Sequence, residues 1–420
     1  MAKNELVQVH CFGIEIGKLG FDENKNKSYF QFNPVFLKTG MYEHLFPLVF
    51  KRIEHTQVFS QFNSDTFKGL PPMIADSLPD MFGNLVFKSW LDANGKGSKS
   101  ISVLEQLAYV ANRGMGALEY TPVKHIPRHT SIDLNEIIDV LKQVMDVKQN
   151  TQAEHLDTES LINVFKIGSS AGGAHPKIVI SENKKSGKII PGDLEFSDKY
   201  NHYLVKLHLD EELPYNKELI EYSYYLLAKE LGVSMMESKL IDGKHFATMR
   251  FDRQNGKKNH VLTASGLTGW DFKNPEVSSY ENLFDLALFL KIPHKQIEEL
   301  FKRMVFNLVY ANADDHLKNH SFIYNELTDQ WSLAPAYDLT FSLNPLLNYK
   351  KVSRALSING KRQNISKEDV LVLAKKYTIK NPSSIIEQLL SSVEFWEQKA
   401  QDLAIPTKII GNMKKDFYLF

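Results

Sequence analysis

Residues 311–321 read Ala-Asn-Ala-Asp-Asp-His-Leu-Lys-Asn-His-Ser, and they decide the fold that this sequence predicts. Directly before them, apolar residues recur at helical spacing from Ile297 to Val309, which predicts a buried helix over about 296–310. The loop that follows holds two acids, two histidines, a lysine and two asparagines in eleven residues. Because buried charges must be paired or bound to a ligand, such a loop at the end of a core helix indicates a functional site.

The spacing of the polar side chains in this loop is informative. Asp314 and Asn319 lie five positions apart, like the Asp and Asn of a protein-kinase catalytic loop. There the Asp accepts the proton of the substrate hydroxyl, and the Asn holds magnesium. A further acid, Asp338, follows among apolar residues. Since Mg²⁺ takes one or two carboxylates together with phosphate oxygens, Asn319 and Asp338 are the candidate magnesium ligands.

Two upstream segments contain residues that could bind phosphate. Lys206 lies within an apolar strand and needs a counter-charge, which phosphates would supply, with Glu221 on the next helix as its ion-pair partner. The segment 168–177, Gly-Ser-Ser-Ala-Gly-Gly-Ala-His-Pro-Lys, precedes a strand, and its glycines would let backbone amides approach phosphate. It matches neither G-x-x-x-x-G-K-[ST] nor G-x-G-x-x-G. The chain order of glycine loop, Lys, Glu, Asp-x4-Asn and Asp is that of a bilobal kinase.

Each of these residues also has a plainer explanation. Asp314 and Asn319 would simply cap a helix end, which is a common position for both residue types. Asp338 would occupy a turn. Lys206 would protect a strand edge, and Glu221 would be a solvated helix acid.

Two other groups of residues have alternative interpretations. The segment Met249-Arg-Phe-Asp-Arg253 would be a surface ion-pair site. His316 and His320 have the spacing of a zinc-binding helix, but no third ligand is evident in the sequence.

Composition restricts the class of protein. The chain has 420 residues, of which 43% are hydrophobic and 24% charged, so a disordered chain, a fibre and a coiled coil are excluded. Fifty Lys and Arg balance fifty Asp and Glu, which does not indicate a strongly basic nucleic-acid binder. With the single cysteine Cys11 no intramolecular disulfide is possible. No apolar segment reaches the roughly 20 residues of a membrane span, so we expect a cytoplasmic protein without membrane contact.

Periodicity and turn signals predict the secondary structure. Strands are expected at 6–12, 29–36, 177–181, 187–191, 202–208 and 246–251. Helices are expected at 81–90, 103–111, 217–231 with Gly232 as C-cap, around 137–144, at 296–310, and at 366–376 with a Ser366–Asp369 capping box. Asn359-Gly360 predicts a hairpin turn.

The motifs resemble the HipA family of bacterial toxin kinases, which belong to type II toxin–antitoxin systems. The matching segments are 170–177, 203–207, 227–232 with Glu221 ahead of it, 250–253, 312–319, 335–338 and 355–362, and less firmly 80–84 and 112–117. The resemblance implies an α+β, bilobal protein-kinase-like fold with a small α+β N-terminal subdomain and a mostly helical C-terminal lobe. The implied domains are an N-terminal subdomain at 1–125, an N-lobe at 126–255 and a helical C-lobe at 256–420.

The resemblance also implies roles for individual residues in a Ser/Thr protein kinase that uses ATP and Mg²⁺. Asp314 would be the catalytic base, and Asn319 and Asp338 the metal ligands. The implied nucleotide-binding residues are Gly172, Gly173, Ala174, His175, Pro176, Lys177, Lys206, Glu221, Met249, Arg250, Phe251, His316, Leu317, Lys318, Asn319, Tyr337 and Asp338. His175 and Pro176 differ from the polar residues of the best-known branch of the family.

The family further implies regulation and partners. Ser170 would autophosphorylate and switch the kinase off, because its new charge repels ATP phosphates, and Ser169 is the alternative acceptor. Family members phosphorylate aminoacyl-tRNA synthetases and bind a HipB-like helix-turn-helix antitoxin, so contact with operator DNA would be indirect. Two other functions remain open: a nucleotide-binding corepressor that transfers no phosphate, and a small-molecule kinase.

Overall fold

The structure is a computed structural model that describes residues 6–79, 101–123, 137–139, 141–142, 176–192, 197–209, 212–347, 349, 352–418 and 420. The chain divides into two compact units. The first comprises Met1–Leu209 and Ala247–Val261, and the second comprises Asp210–Phe246 and Leu262–Phe420. Both strands and helices are present in each unit, so the expected mixture of α and β structure is confirmed.

The first unit contains an antiparallel sheet with the strand order β4-β3-β2-β1-β5. Its strands are β1 (Val7–Cys11), β2 (Ile14–Asp22), β3 (Lys27–Phe32), β4 (Gln57–Phe59) and β5 (Leu118–Thr121). Among the described residues it is accompanied by the short helices α1 (Pro34–Thr39), α2 (Pro72–Ala75) and α3 (Val103–Val110). Gly17 is required where β2 crosses β3, because a Cβ there would lie 2.5 Å from Gln31 O and from the Phe30 ring.

A second sheet in the same unit carries two of the predicted nucleotide-binding lysines. In it, β7 (Ile189–Pro191), β6 (Lys177–Asn183), β8 (Tyr200–Lys206) and β10 (His245–Met249) follow one another in this order. The chain passes from the second unit to the first within β10. The pair β11 (Arg253–Gln254) and β12 (Lys257–Lys258) follows it.

Helices dominate the second unit. They are α4 (Lys217–Glu230), α5 (Ala264–Thr268), α6 (Tyr280–Phe289), α7 (His294–Val309), α8 (Lys367–Lys376), α9 (Pro382–Ser391), α10 (Val393–Asp402) and α11 (Thr407–Asp416), with the strand β9 (Ser238–Ile241). The apolar residues of α7 are buried, as its periodicity predicts. The rings of Tyr224, Tyr310 and Trp396 pack edge to face around its end and form part of the core.

A small sheet positions the candidate site. Strands β14 (Ser321–Asn325) and β15 (Gln330–Leu333) form an antiparallel hairpin beside β13 (His260–Thr263). Ala334 N donates to Ser321 O at 3.0 Å at the open end of this hairpin. Because the two strands run in opposite directions, the residues before β14 and those after β15 meet at that end.

Most of the predicted elements are present where they fall on described residues. The capping box of Ser366 with Asp369 is confirmed, as is the tight turn at 358–361, where Asn359 and Gly360 both have positive φ. The strand expected at 29–36 is wrong beyond Phe32, because Asn33 caps α1 and Pro34 begins it. The helix expected at 81–90 lies outside the described residues, and around 137–144 the residues 137–139, 141 and 142 are helical.

No helix among the described residues combines the length and the hydropathy needed to cross a membrane.

Candidate active site

The loop after α7 is held in place by the buried Asn312. Its Nδ2 donates to Asn307 Oδ1 at 3.0 Å and to the backbone oxygen of Asp338 at 3.2 Å. The next residue, Ala313, donates its N–H to Ser342 Oγ at 2.7 Å. These bonds join the loop to the segment that follows β15, and so the predicted base and the predicted metal ligand lie on segments that are bonded to each other.

Asp314 is the exposed acid of this loop. Crowding around its carboxyl partly desolvates it, and the neighbouring His316 attracts its charge while Asp338 and Asp315 repel it. The net effect raises the pKa of Asp314 above its ordinary value. The hydrogen bond from Asn312 to the backbone oxygen of Asp338 places the two acids on adjoining segments. A carboxylate with a raised pKa is a stronger base.

Asn319 is bonded to the backbone of Asp314. It ends a short 3-10 turn (Leu317–Asn319), and its Nδ2 donates to the backbone oxygen of Asp314 at 2.9 Å. Its own N–H donates to His316 O at 2.8 Å. Because the amide nitrogen is used in this bond, Oδ1 is the atom that Asn319 offers as an acceptor or ligand.

Asp338 has a left-handed backbone conformation, with φ of 57°, which is unfavourable for most residues with a Cβ atom and tolerated best by Asn and Asp. The preceding Tyr337 holds this segment. Its hydroxyl donates to the backbone oxygen of Lys318 at 2.7 Å and lies 2.6 Å from Ser321 Oγ. Tyr337 therefore ties the Asp338 segment to the turn that carries Asn319.

The other predicted residues of the loop contact an aromatic side chain. The His316 ring lies against Phe272 with 4.8 Å between ring centroids, and Lys318 Nζ is 5.8 Å from the centroid of the same ring. Leu317 is fully buried and anchors the turn in the core. His316 and Lys318 thus share the ring of Phe272 as a neighbour, whereas Leu317 contributes packing.

A buried network behind the loop was not found from the sequence. The carboxylate of Asp315 is buried, and its Oδ2 accepts from Tyr280 Oη at 2.5 Å and from Arg354 Nη2 at 2.7 Å. Arg354 also donates to the backbone oxygens of Asn307 at 3.2 Å and Asn312 at 2.9 Å. The only sign of this network in the sequence is the second acid of the motif, Asp315, which directly follows Asp314. Its partners Tyr280 and Arg354 are too far away in the sequence to be connected to it.

The donor set fits magnesium better than zinc. Asn319 and Asp338 line one small polar pocket together with Asn307, Asn312 and Asp315. An amide oxygen and a carboxylate suit Mg²⁺, which completes its shell with phosphate oxygens and water.

Zinc is not favoured at the two histidines of the loop. His320 is buried, and its Nε2 is taken up by the backbone oxygen of Asp315, which lies 3.3 Å away. In the part of the chain that the structure describes, no cluster of three or more His, Cys, Asp or Glu side chains could hold a metal ion.

Glu221 lies on α4 and is buried. Asn216 caps this helix by accepting from Glu218 N at 2.8 Å and Leu219 N at 3.0 Å. Three residues after Glu221, the hydroxyl of Tyr224 donates to the backbone oxygen of Tyr310 at 2.6 Å. The helix that carries Glu221 is thus bonded to the end of α7, where the loop begins.

Lys177 and Lys206 lie directly opposite each other on β6 and β8. Both are buried, with exposed fractions of 6% and 8%. Residues paired in this way point to the same face of a sheet, and like charges there are unfavourable unless an anion lies nearby. The sequence identified both lysines but did not reveal that they face each other.

The segment after β10 uses its side chains for a buried ion cluster. Arg250 forms two hydrogen bonds with Asp252, at 2.9 and 2.8 Å, and Arg253 Nη1 donates to the same carboxylate at 2.8 Å. The predicted surface ion pair is therefore buried. Two backbone groups are also engaged: Arg250 N donates to His202 O at 2.8 Å, and Phe251 O accepts from Asn259 at 2.8 Å.

Several predicted residues lie outside the described part of the chain: Ser169, Ser170, Gly172, Gly173, Ala174 and His175. Pro176 is described, and its backbone oxygen accepts from Leu207 N at 3.0 Å.

Two family models match the sequence. The HipA-like C-terminal domain matches residues 169–397, which is more than half of the chain, and the HipA N-terminal domain matches residues 7–121. A protein of Haemophilus influenzae named only as a kinase candidate is 29% identical over 199 residues, covering 42% of this chain and 54% of the relative. The serine/threonine-protein kinase toxin HipA of Shewanella oneidensis is 26% identical over 199 residues, covering 40% and 42%. The chain spans about half the length of the curated relatives it matches.

The fold is similar to that of a solved structure. HipA of Shewanella oneidensis, in a complex with HipB and its operator DNA, superposes with a TM-score of 0.59 at 18% identity, covering 98% of this chain and 95% of that chain. At this identity the similarity shows the fold alone. Together with the match of the C-terminal family model to more than half of the sequence, it leads to one conclusion: the chain belongs to the HipA family.

Proposed function

We propose that this chain is an ATP-dependent serine/threonine protein kinase, acting as the toxin of a toxin–antitoxin system, with a bilobal kinase fold. One observation carries the proposal. Asp314, which has a raised pKa, lies on a segment bonded to that of Asp338, and Asn319 is bonded to the Asp314 backbone. These are the base and the two metal ligands that phosphoryl transfer requires.

The proton of the acceptor hydroxyl would pass to Asp314. Its backbone lies on an anchored loop, and its raised pKa strengthens the carboxylate as a base. His316, which acts electrostatically on this carboxylate, and Lys318, which lies against the same Phe272 ring as His316, would balance the charge of the transferring phosphoryl group.

The triphosphate would be bound by cations and by oxygen ligands for magnesium. In the first unit, the facing Lys177 and Lys206 would neutralise phosphate oxygens, with segment 172–176 as the phosphate loop. In the second unit, Asn319 Oδ1 and the Asp338 carboxylate would hold Mg²⁺, which supplies charge neutralisation at the phosphates. The adenine would take backbone groups of Met249 to Phe251 other than the N–H of Arg250 and the carbonyl of Phe251, which are already hydrogen-bonded.

Phosphate transfer from labelled ATP tests the activity. We expect Asp314→Ala to lower the rate about 10²- to 10⁴-fold, because general-base catalysis contributes that much. Asp402→Ala is the control, since Asp402 is an exposed acid of α10 paired with Lys399. Equal labelling of the Asp314→Ala variant and the parent protein would refute the role of Asp314.

The acceptors and partners complete the proposal. We infer autophosphorylation at Ser170, an aminoacyl-tRNA synthetase as acceptor, and a HipB-like helix-turn-helix antitoxin that alone contacts operator DNA. Mass spectrometry of the protein after incubation with ATP should place a phosphate on Ser170. The phosphate should be absent from the Ser170→Ala variant and present in the Ser169→Ala variant. The opposite pattern would assign the site to Ser169.

A further inference from the structure

The buried carboxylate of Asp315 is satisfied on one side only. Its Oδ2 accepts hydrogen bonds from Tyr280 and Arg354. Its Oδ1 has no hydrogen-bond partner among the residues that the structure describes. The side chain is 0% exposed, so bulk water does not compensate this atom. A buried acceptor that remains unsatisfied costs about 1–3 kcal/mol, which is a reason to expect a ligand there.

The surroundings of Asp315 indicate what that ligand is. Asp315 lines the same small polar pocket as Asn319 and Asp338. The pocket has room for about one water molecule. Arg354 already balances the charge of Asp315, so a second full cation bound directly to Oδ1 is not required. A hydrogen-bond donor of the size of water satisfies both conditions.

We propose that Asp315 is a positioning residue that accepts, through Oδ1, a hydrogen bond from a water molecule in the coordination shell of the Mg²⁺ bound by Asn319 and Asp338. The inference rests on the proposed function, because it requires that metal. Mg²⁺ retains several of its waters when it is bound through one or two protein ligands. Groups that bind the ligands of a metal orient them, and losing such a group costs about 10- to 100-fold in metal affinity.

The substitution Asp315→Asn isolates this contact. Tyr280 and Arg354 are both donors, so the Asn side chain must direct its oxygen towards them. Its NH₂ group then takes the place of Oδ1. The substitution keeps the shape of the side chain and replaces the acceptor Oδ1 by a donor.

Titration of Mn²⁺ by electron paramagnetic resonance, with a non-hydrolysable ATP analogue bound, measures the effect without catalysis. We expect Asp315→Asn to weaken Mn²⁺ binding about tenfold or more. Asp369→Asn is the matched control. Asp369 is also buried and paired with a cation, Lys361, but both of its oxygens accept hydrogen bonds. The control should lose stability and keep its Mn²⁺ affinity.

The possible outcomes separate the two proposals. If the parent protein binds the analogue with Mn²⁺ and Asp315→Asn binds Mn²⁺ equally well, the role of Asp315 is refuted and the kinase proposal stands. If the parent binds neither, the kinase proposal itself fails. If Asp315→Asn does not fold, a crystal structure of the parent with Mg²⁺ and the analogue decides. A water within hydrogen-bond distance of Oδ1 and bound to the metal supports the inference, and any other occupant overturns it.

Discussion

Two groups of buried charges lie in the first unit. Asp252 lies between Arg250 and Arg253, and all three side chains are almost completely buried. The two guanidinium groups hold the pKa of Asp252 well below its ordinary value, although desolvation by burial opposes them. Lys177 and Lys206 instead place two positive charges opposite each other on neighbouring strands. The first arrangement serves stability, and the second is the one that we propose binds phosphate.

The pair of facing lysines predicts a loss of nucleotide binding on substitution. In Lys206→Met one of the two cations that would bind phosphate is absent, so ATP should no longer stabilise the protein. A ligand at 100 times its dissociation constant adds about 2.7 kcal/mol, which a thermal-unfolding experiment with MgATP detects. Lys184→Met, at an exposed turn between β6 and β7, is the control. An undiminished ATP-induced shift in Lys206→Met would contradict the assignment.

The ion cluster predicts a large effect on folding. Asp252→Asn leaves two buried guanidinium groups without their anion, and we expect the free energy of unfolding to fall by about 3–5 kcal/mol. Urea denaturation followed by circular dichroism measures this change. Asp22→Asn serves as a comparison, because Asp22 is the half-buried last residue of β2, and its Oδ1 accepts from Asn24 N of the following turn at 3.1 Å. Similar midpoints for the two variants would show that the cluster contributes little.

At the scale of elements, the sequence predicted a helix or its start correctly where the deciding residues are close together in the chain. The periodicity of 297–309 predicted α7, and Ser366 with Asp369 predicted the start of α8. The end of β3 was predicted wrongly because the alternation of apolar and polar residues over 29–36 indicated a single strand. Asn33 and Pro34, which begin α1, were not recognised as a helix start. The prediction that Asp314 and Asp338 belong to one site rested on the resemblance of their spacing to that of protein kinases. The β14–β15 hairpin, which brings their segments together, is visible only in the structure, as is the network of Tyr280, Asp315 and Arg354.

The capping box at α8 predicts a modest loss of stability. Ser366 Oγ accepts from Asp369 N at 3.3 Å, and Asp369 Oδ2 accepts from Ser366 N at 2.8 Å. Ser366→Ala removes one of these reciprocal bonds and should lower the free energy of unfolding by about 1 kcal/mol. Ser391→Ala is the comparison in the same urea experiment, because Ser391 lies at the exposed end of α9 and caps no helix start. A smaller effect for Ser366→Ala than for Ser391→Ala would contradict the role of the cap.

At the scale of the whole molecule, buried histidines make stability depend on pH. Desolvation lowers the pKa of His202 to about 4, with a further contribution from Arg250 and Arg253, and lowers that of His260 to about 3. Both are therefore neutral in the folded protein, whereas the unfolded chain takes up protons below about 6.5. Their stabilising contribution is complete above that pH and is lost as the pH falls towards 4, at up to about 1.4 kcal/mol per pH unit for each histidine.

Urea midpoints between pH 7.5 and 4.5 test this dependence. His202→Gln should reduce the slope by about a third of the histidine contribution, because one of the three buried histidines with a lowered pKa, His202, His260 and His320, no longer titrates. His55→Gln, at an exposed position, should leave the slope unchanged. A parent protein whose stability is constant over this range would contradict the prediction.

The hydrogen bond from Tyr224 to the carbonyl of Tyr310 has a mechanical consequence. It connects the middle of α4 to the last turn of α7, one residue before the chain enters the loop that carries Asp314. A shift of α4 by a single turn, about 5.4 Å, would break this bond in a buried environment where no water replaces it. If the bond is kept, a displacement of Glu221 along the α4 axis would also move the end of α7 and the loop that carries Asp314, because Tyr224 connects the two helices.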